Sequence, residues 1–190
     1  MTGSNVDRRS ELARTEGRNT DSLESYIRSI PDFPKPGIVF RDITPLLASP
    51  VGLGAAIDAL TERTRDLRPD IVIGAEARGF LLGPALAREL GAGFVLARKP
   101  GALPHTTIRT EYALEYGASV LELHDDCITP GARVLVHDDL LATGGTARAL
   151  CSLVEQLGGT IVGCLFLIEL GFLAGREALA GRDVDALIAY

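Results

Sequence analysis

The sequence predicts an α/β fold: a mostly parallel sheet with helices on both faces. Three observations carry that expectation. Short apolar runs recur at Ile71–Ile73, Val134–Val136 and Ile161–Ile168, as suits strands buried on both faces. Segments with helical spacing lie between them, so strands and helices alternate as in βαβ units. Acidic, basic and glycine residues cluster just after the strands, where open α/β sheets bind ligands.

The elements follow in order. Met1 to Thr20 is polar, of mixed charge and without an apolar core segment, so it reads as a disordered tail and not as a secretory signal. Leu23, Tyr26, Ile27 and Ile30 are spaced as a short amphipathic helix closed by Pro31. Pro34, Pro36 and Gly37 make a rigid bend before a short strand, Ile38–Phe40. A helix is expected from Val51 to Arg65, a strand at Ile71–Ile73, a helix over Phe80–Leu90 and a strand at Phe94–Leu96. Residues 99–110, with Pro100, Gly101, Pro104 and three threonines, read as loop. Ala118–Leu123 alternates like a strand. Arg133–Asp138 and Thr160–Ile168 are strands flanking a helix, and Asp185–Ala189 closes the chain as an edge strand.

Composition narrows the class. A chain of 190 residues with 46% hydrophobic residues is long enough for one good core, and residues 21–190 read as a single domain. A net charge of −6 argues against nucleic acid as a partner. The longest apolar run, Ile161–Ile168, is too short to cross a bilayer. Cys127, Cys151 and Cys164 are scattered and odd in number, which fits reduced thiols in a cytoplasmic protein. The three histidines show no metal-ligand spacing with them.

The most informative run is Val134 to Thr146, VLVHDDLLATGGT. An apolar strand delivers Asp138 and Asp139 to its C-terminal end. The loop Ala142, Thr143, Gly144, Gly145, Thr146 follows, and then a helix on which Ala147, Leu150, Cys151, Val154 and Leu157 share a face. Gly158–Gly159 stops that helix. Backbone N–H groups and hydroxyls at a helix N-terminus suit a phosphate, the carboxylates suit sugar hydroxyls, and either threonine is a candidate helix cap. A Walker loop is excluded, because Phe80 and Leu81 follow Gly74–Gly79 where Lys and Ser/Thr are required. No strand is followed by the glycine fingerprint of a dinucleotide fold.

This run resembles the phosphoribosyl-diphosphate motif of the type I phosphoribosyltransferases. IRSIPDFPKPGIVFRDITPLL (Ile27–Leu47), GAEARGFLLGPALARELG (Gly74–Gly91), RKPGALP (Arg98–Pro104) and EYALEYG (Glu111–Gly117) resemble the adenine-specific family among them, in its order. The resemblance covers residues 22 to 190. It implies a core sheet with a small N-terminal hood and a flexible lid loop over residues 99–117. It implies transfer of a phosphoribosyl group from 5-phospho-α-D-ribose 1-diphosphate to adenine, giving AMP and diphosphate, in a cytoplasmic homodimer. The 5′-phosphate would sit on Ala142–Thr146 and the ribose on Asp138 and Asp139. The diphosphate would lie against Ala75, Glu76, Ala77, Arg78 and Gly79, a turn that the family often holds in a non-proline cis peptide, and near Arg98 and Lys99. Mg²⁺ would ride mainly on the substrate, offsetting carboxylates next to a polyanion. Glu115 would be the acid/base near the purine, with Tyr116 beside it. Val39, Phe40 and Arg41 would read adenine, Phe40 stacking on one face and Leu140 covering the other.

The residues alone leave alternatives open. Taken without the resemblance, Glu115 reads as a solvated acid at a strand end; the alternative for Phe40 is core packing, and for Arg78 an ordinary residue at a helix N-terminus. A 6-oxopurine transferase and a non-catalytic sensor of phosphoribosyl diphosphate are the competing functions. Ala102, His105 and His137 depart from the family pattern.

Overall fold

A computed structural model of the chain describes residues 23–114 and 117–190. The expected tail, residues 1–20, lies outside the described residues, as do Glu115 and Tyr116. The chain divides into two compact units, the first ending at Ala59 and the second beginning at Leu60.

In the first unit a single turn opens at Leu23, where the Tyr26 and Ile27 amides donate to the Leu23 and Glu24 carbonyls. The expected helix does not continue to Ile30. Instead Arg28–Pro31 (β1) pairs antiparallel with Val39–Asp42 (β2), with Ile30 opposite Phe40. Pro31 is tolerated because it ends a strand of a two-stranded ribbon. The bend between the strands is tied by the Gly37 amide donating to Asp32 Oδ1 at 2.7 Å. Phe33 meets Phe40 edge-on, ring centroids 5.2 Å apart. A short helix absent from the expected list, Thr44–Ala48 (α1), starts where the Asp42 carboxylate accepts from the Thr44 amide. The next helix, Pro50–Thr64 (α2), continues into the second unit and ends within a residue of its expected limit.

The second unit is built on a five-stranded sheet, all neighbours parallel. Its strands are Ile71–Ala75 (β3), Gly93–Ala97 (β4), Arg133–Leu141 (β7), Thr160–Glu169 (β8) and Val184–Ala189 (β9), in the order β4-β3-β7-β8-β9. Strand alternation sorts the core into two faces. Ile73, Val134, Val136, Cys164 and Phe166 share one cluster with Leu150, Cys151 and Val154 of the helix Gly145–Gln156 (α4). Val72, Leu135, Leu165 and Leu167 are buried by the opposite face. The helix Gly79–Leu90 (α3) packs on β3, β4 and β7. Its Phe80 meets Phe94 of β4 edge-on, and Leu82 and Leu86 are fully buried.

Residues 99–110 are not loop throughout. Thr107–Leu114 (β5) and Gly117–His124 (β6) form an antiparallel ribbon. Leu121 and Leu123 of the ribbon join the α4-side cluster.

Candidate active site

The chemistry gathers at the C-terminal ends of the parallel strands. β7 does not stop at Asp138 but continues through Leu141, so both acids are strand residues. Neighbours on a strand point to opposite faces, and the two carboxylates separate accordingly. Asp138 lines a cavity of about 360 Å³ together with Leu140, Phe166 and the loop 142–146. Asp139 is 3% exposed and turns toward α3, where Arg78 Nε and Nη2 reach its Oδ2 at 2.6 and 2.5 Å. Burial, followed by the neighbouring Asp139 charge, pushes the Asp138 carboxyl well above the usual carboxylate range. One Asp138 oxygen accepts from the Asp139 amide at 2.9 Å, a weaker opposing influence.

The loop leads into the N-terminus of α4 beside this cavity, and its capping differs from the expectation. Neither Thr143 nor Thr146 caps α4. Gly144 is the N-cap, at φ +80°, and no side chain bonds into the first turn. The left-handed conformation favours glycine. Helix amides in a first turn have no intrahelical acceptor, so this end of α4 presents donors to the cavity that Thr143, Gly145 and Thr146 also line. At the far end of the helix Gly158 takes φ +77° after Leu157, as the stop signal implied.

A second group of charges stands at the ends of β3 and β4. The turn 76–78 carries a non-proline cis peptide between Glu76 and Ala77. Its close packing depends on Gly74 and Gly79, since a Cβ on Gly74 would lie 2.7 Å from the Gly79 carbonyl oxygen. Glu76 accepts from Arg98 Nε at 2.7 Å. That bond chiefly, helped by the Lys99 backbone and charge, holds the Glu76 carboxyl below its usual range. The Glu76 amide donates to the Ala97 carbonyl, which joins the turn to β4. Asp139–Arg78 and Glu76–Arg98 thus bring Asp139, the turn and Arg98 into one neighbourhood.

The departures from the family pattern also find places. His137 is fully buried; its Nδ1 lies 3.0 Å from the Leu165 carbonyl oxygen, and burial lowers its pKa to about 4. The Ala102 carbonyl accepts from Arg98 at 3.2 Å. His105 is exposed, 3.8 Å from Asp126, with Asp125 beside them. Val39, Phe40 and Arg41 lie on β2 in the first unit, where Arg41 Nη1 donates to Ser29 Oγ at 2.5 Å. Sequence reasoning missed Phe166, which looks like any other residue of an apolar strand. It also missed the β8–β9 crossover, whose glycines and alanines give no periodic signal.

Among the described residues no helix is long and apolar enough to cross a membrane. A family model described as a phosphoribosyl transferase domain matches residues 44–181. An adenine phosphoribosyltransferase of Rubrobacter xylanophilus is 60% identical over 174 residues, covering 91% of this chain and 94% of that protein. The adenine phosphoribosyltransferase of Thermoanaerobacter pseudethanolicus superposes with a TM-score of 0.87 at 48% identity, over 90% of this chain and 99% of that one. The Saccharomyces cerevisiae enzyme, solved with an imino-altritol bisphosphate and adenine, gives 0.86 at 36% identity over 90% and 99%. With the family model spanning most of the chain and relatives of this identity and coverage, the chain belongs to the adenine phosphoribosyltransferase family.

Proposed function

We propose that this protein transfers the 5-phosphoribosyl group of 5-phospho-α-D-ribose 1-diphosphate to adenine, forming AMP and diphosphate. The observation that carries the reading is the cavity shared by Asp138 and the loop 142–146. It sets a carboxylate beside a cluster of amide donors at the C-terminal edge of a parallel sheet, where α/β proteins bind ligands.

The 5′-phosphate sits on Ala142–Thr146, held by the N-terminal turn of α4. Asp138 accepts the ribose hydroxyls. The diphosphate lies along Ala75–Gly79 and near Arg98 and Lys99, with Arg78 steadied by Asp139. As diphosphate departs, positive charge grows on the ribose ring. Fixed carboxylates then stabilise the transition state more than the ground state; Asp138 does so from the cavity wall and Asp139 through the shared field. By the family resemblance, Phe40 takes the stacking role toward the purine, backbone groups of Val39 and Arg41 read the amidine edge, and Leu140 takes the covering role. Such a site leaves polar groups unpaired against a 6-oxopurine. Glu115 moves the proton at the purine imidazole ring, with Tyr116 beside it.

Mg²⁺ is the cofactor, carried mainly by the donor substrate. The residues fit it: the Asp138 carboxylate, an oxygen donor whose pKa is raised by burial and by the Asp139 charge, lines the cavity of the loop 142–146. When bound, the ion neutralises part of the diphosphate charge. The family likeness further supports a homodimer and a cytoplasmic location, checked by light scattering and by cell fractionation.

The deciding experiment incubates purified protein with phosphoribosyl diphosphate, Mg²⁺ and each of adenine, hypoxanthine and xanthine. AMP is the expected product. Failure to form AMP sinks the proposal, and faster turnover of hypoxanthine or xanthine transfers it to a 6-oxopurine enzyme. Glu115→Ala should lose most turnover; a near-normal kcat removes that residue from the mechanism.

A further inference from the structure

The loop 142–146 is pressed from behind by a segment with no role in the proposed reaction. Between β8 and β9 the chain makes two 3-10 turns, Gly171–Leu173 and Gly175–Leu179. A Cβ on Gly144 would collide with the Gly175 carbonyl oxygen and lie 2.8 Å from the Ala178 methyl. A Cβ on Gly175 would collide with the Ala142 carbonyl oxygen and lie 2.9 Å from Leu141 Cγ. Backbone thus meets backbone on both sides, and only glycine allows that approach.

The crossover is itself anchored. Arg176 meets Glu169, the last residue of β8, through two guanidinium nitrogens: Nε at 2.8 and 3.0 Å from the two carboxylate oxygens, and Nη2 at 2.7 Å. Its Nη1 donates to the Val184 carbonyl, the first residue of β9, at 2.6 Å. One side chain therefore grips both strands that the crossover joins. Glu169 is buried, so its charge depends on that partner. The Leu170 amide donates to the Leu141 carbonyl, and Leu179 is buried in the cluster beneath α4.

We propose that the β8–β9 crossover, locked by Arg176 and Glu169, is a positioning buttress that holds the loop 142–146 in its anion-receiving conformation. Gly175 and Arg176 touch no reacting atom. They act by fixing Gly144 and the Ala142 carbonyl, so that the amides of the loop converge before the ligand arrives. A preorganised loop loses less freedom on binding. The consequence is specific: loosening the buttress weakens the phosphorylated donor and leaves the purine side unaffected.

This inference rests on assigning the 5′-phosphate to residues 142–146, and the experiment separates the two. Three variants of the full chain are titrated calorimetrically with phosphoribosyl diphosphate and Mg²⁺: Gly175→Ala, the double variant Glu169→Gln/Arg176→Met, and Thr146→Val within the loop. The double variant removes the ion pair without leaving a buried charge unpaired, and so covers the case in which Gly175→Ala does not fold. The donor Kd and KM should rise roughly tenfold or more in the first two, as losing even one hydrogen bond to a charged group costs about that factor. KM for adenine and kcat at saturating donor should stay near wild type, and the amides of 142–146 should exchange hydrogen faster. A fall in Tm with unchanged donor affinity overturns the buttress, as does a loss shared equally by both substrates. If Thr146→Val alone weakens the donor, the phosphate assignment stands and the buttress fails. If Thr146→Val leaves donor affinity unchanged, the assignment itself fails.

Discussion

Adjacent residues on β7 carry opposite commitments. Asp138 faces the cavity with a carboxyl pushed up by burial and by Asp139, whereas Asp139 is satisfied by Arg78. A carboxyl raised above its unfolded value contributes stability at acid pH, and that contribution is lost as pH rises through the folded value. The Asp138 carboxyl therefore supports the fold less at neutral pH than in acid. Asp138→Asn should raise Tm by a few degrees at pH 7 to 8 while removing most AMP formation; a lower Tm there would contradict this account. His137, one residue earlier, behaves in the opposite sense. Its folded pKa of about 4 lies below the unfolded value of about 6.5. Its contribution is complete above the unfolded value and is lost as pH falls toward the folded one. Thermal scans from pH 7 down to pH 4.5 should show a shallower loss of Tm in His137→Leu than in the wild type.

At the scale of elements, the turn between β3 and α3 is set by two glycines rather than by its charges. A Cβ on Gly79 would lie 3.1 Å from the Gly74 Cα and 3.3 Å from the His137 carbonyl oxygen. Gly79→Ala should lower stability by about 1–3 kcal/mol through overpacking, measured by urea unfolding, and should weaken the donor by moving Arg78. The sequence shows some elements more clearly than others, for physical reasons. Strands β3, β7 and β8 are legible because both faces are buried, which demands an apolar run. α4 is legible because one face alone is buried, which demands a stripe. The first residues of β5, 107–110, read as loop because Ile108 is their one apolar residue and a two-stranded ribbon needs no continuous apolar run. Leu23–Ile30 has helical spacing, yet Ile30 follows its cross-strand partner Phe40 into a ribbon. The candidate site was legible where a local motif holds it, as in Asp138 to Thr146. It was not legible where distant segments meet, as at Gly144 with Gly175 or β7 with Phe166, because no spacing along the chain encodes those contacts.

Across the second unit, two ion pairs run along the strand ends: Asp139 with Arg78, then Glu76 with Arg98. They join the ends of β7, β3 and β4, elements far apart in sequence, and they leave both carboxylates already partnered by a cation. The pairs also set an entry threshold. Any anion drawn to Arg78 or Arg98 must compete with a carboxylate already there, so a small anion of low charge gains little, whereas a diphosphate with several oxygens exchanges one partner for many. Glu76→Gln should make the protein more sensitive to inhibition by inorganic sulfate; an unchanged sulfate inhibition constant would refute this. Under the proposed assignment of the diphosphate to this turn, such occupied arginines would act as a filter that keeps a common simple anion from holding the place of a rarer polyanion.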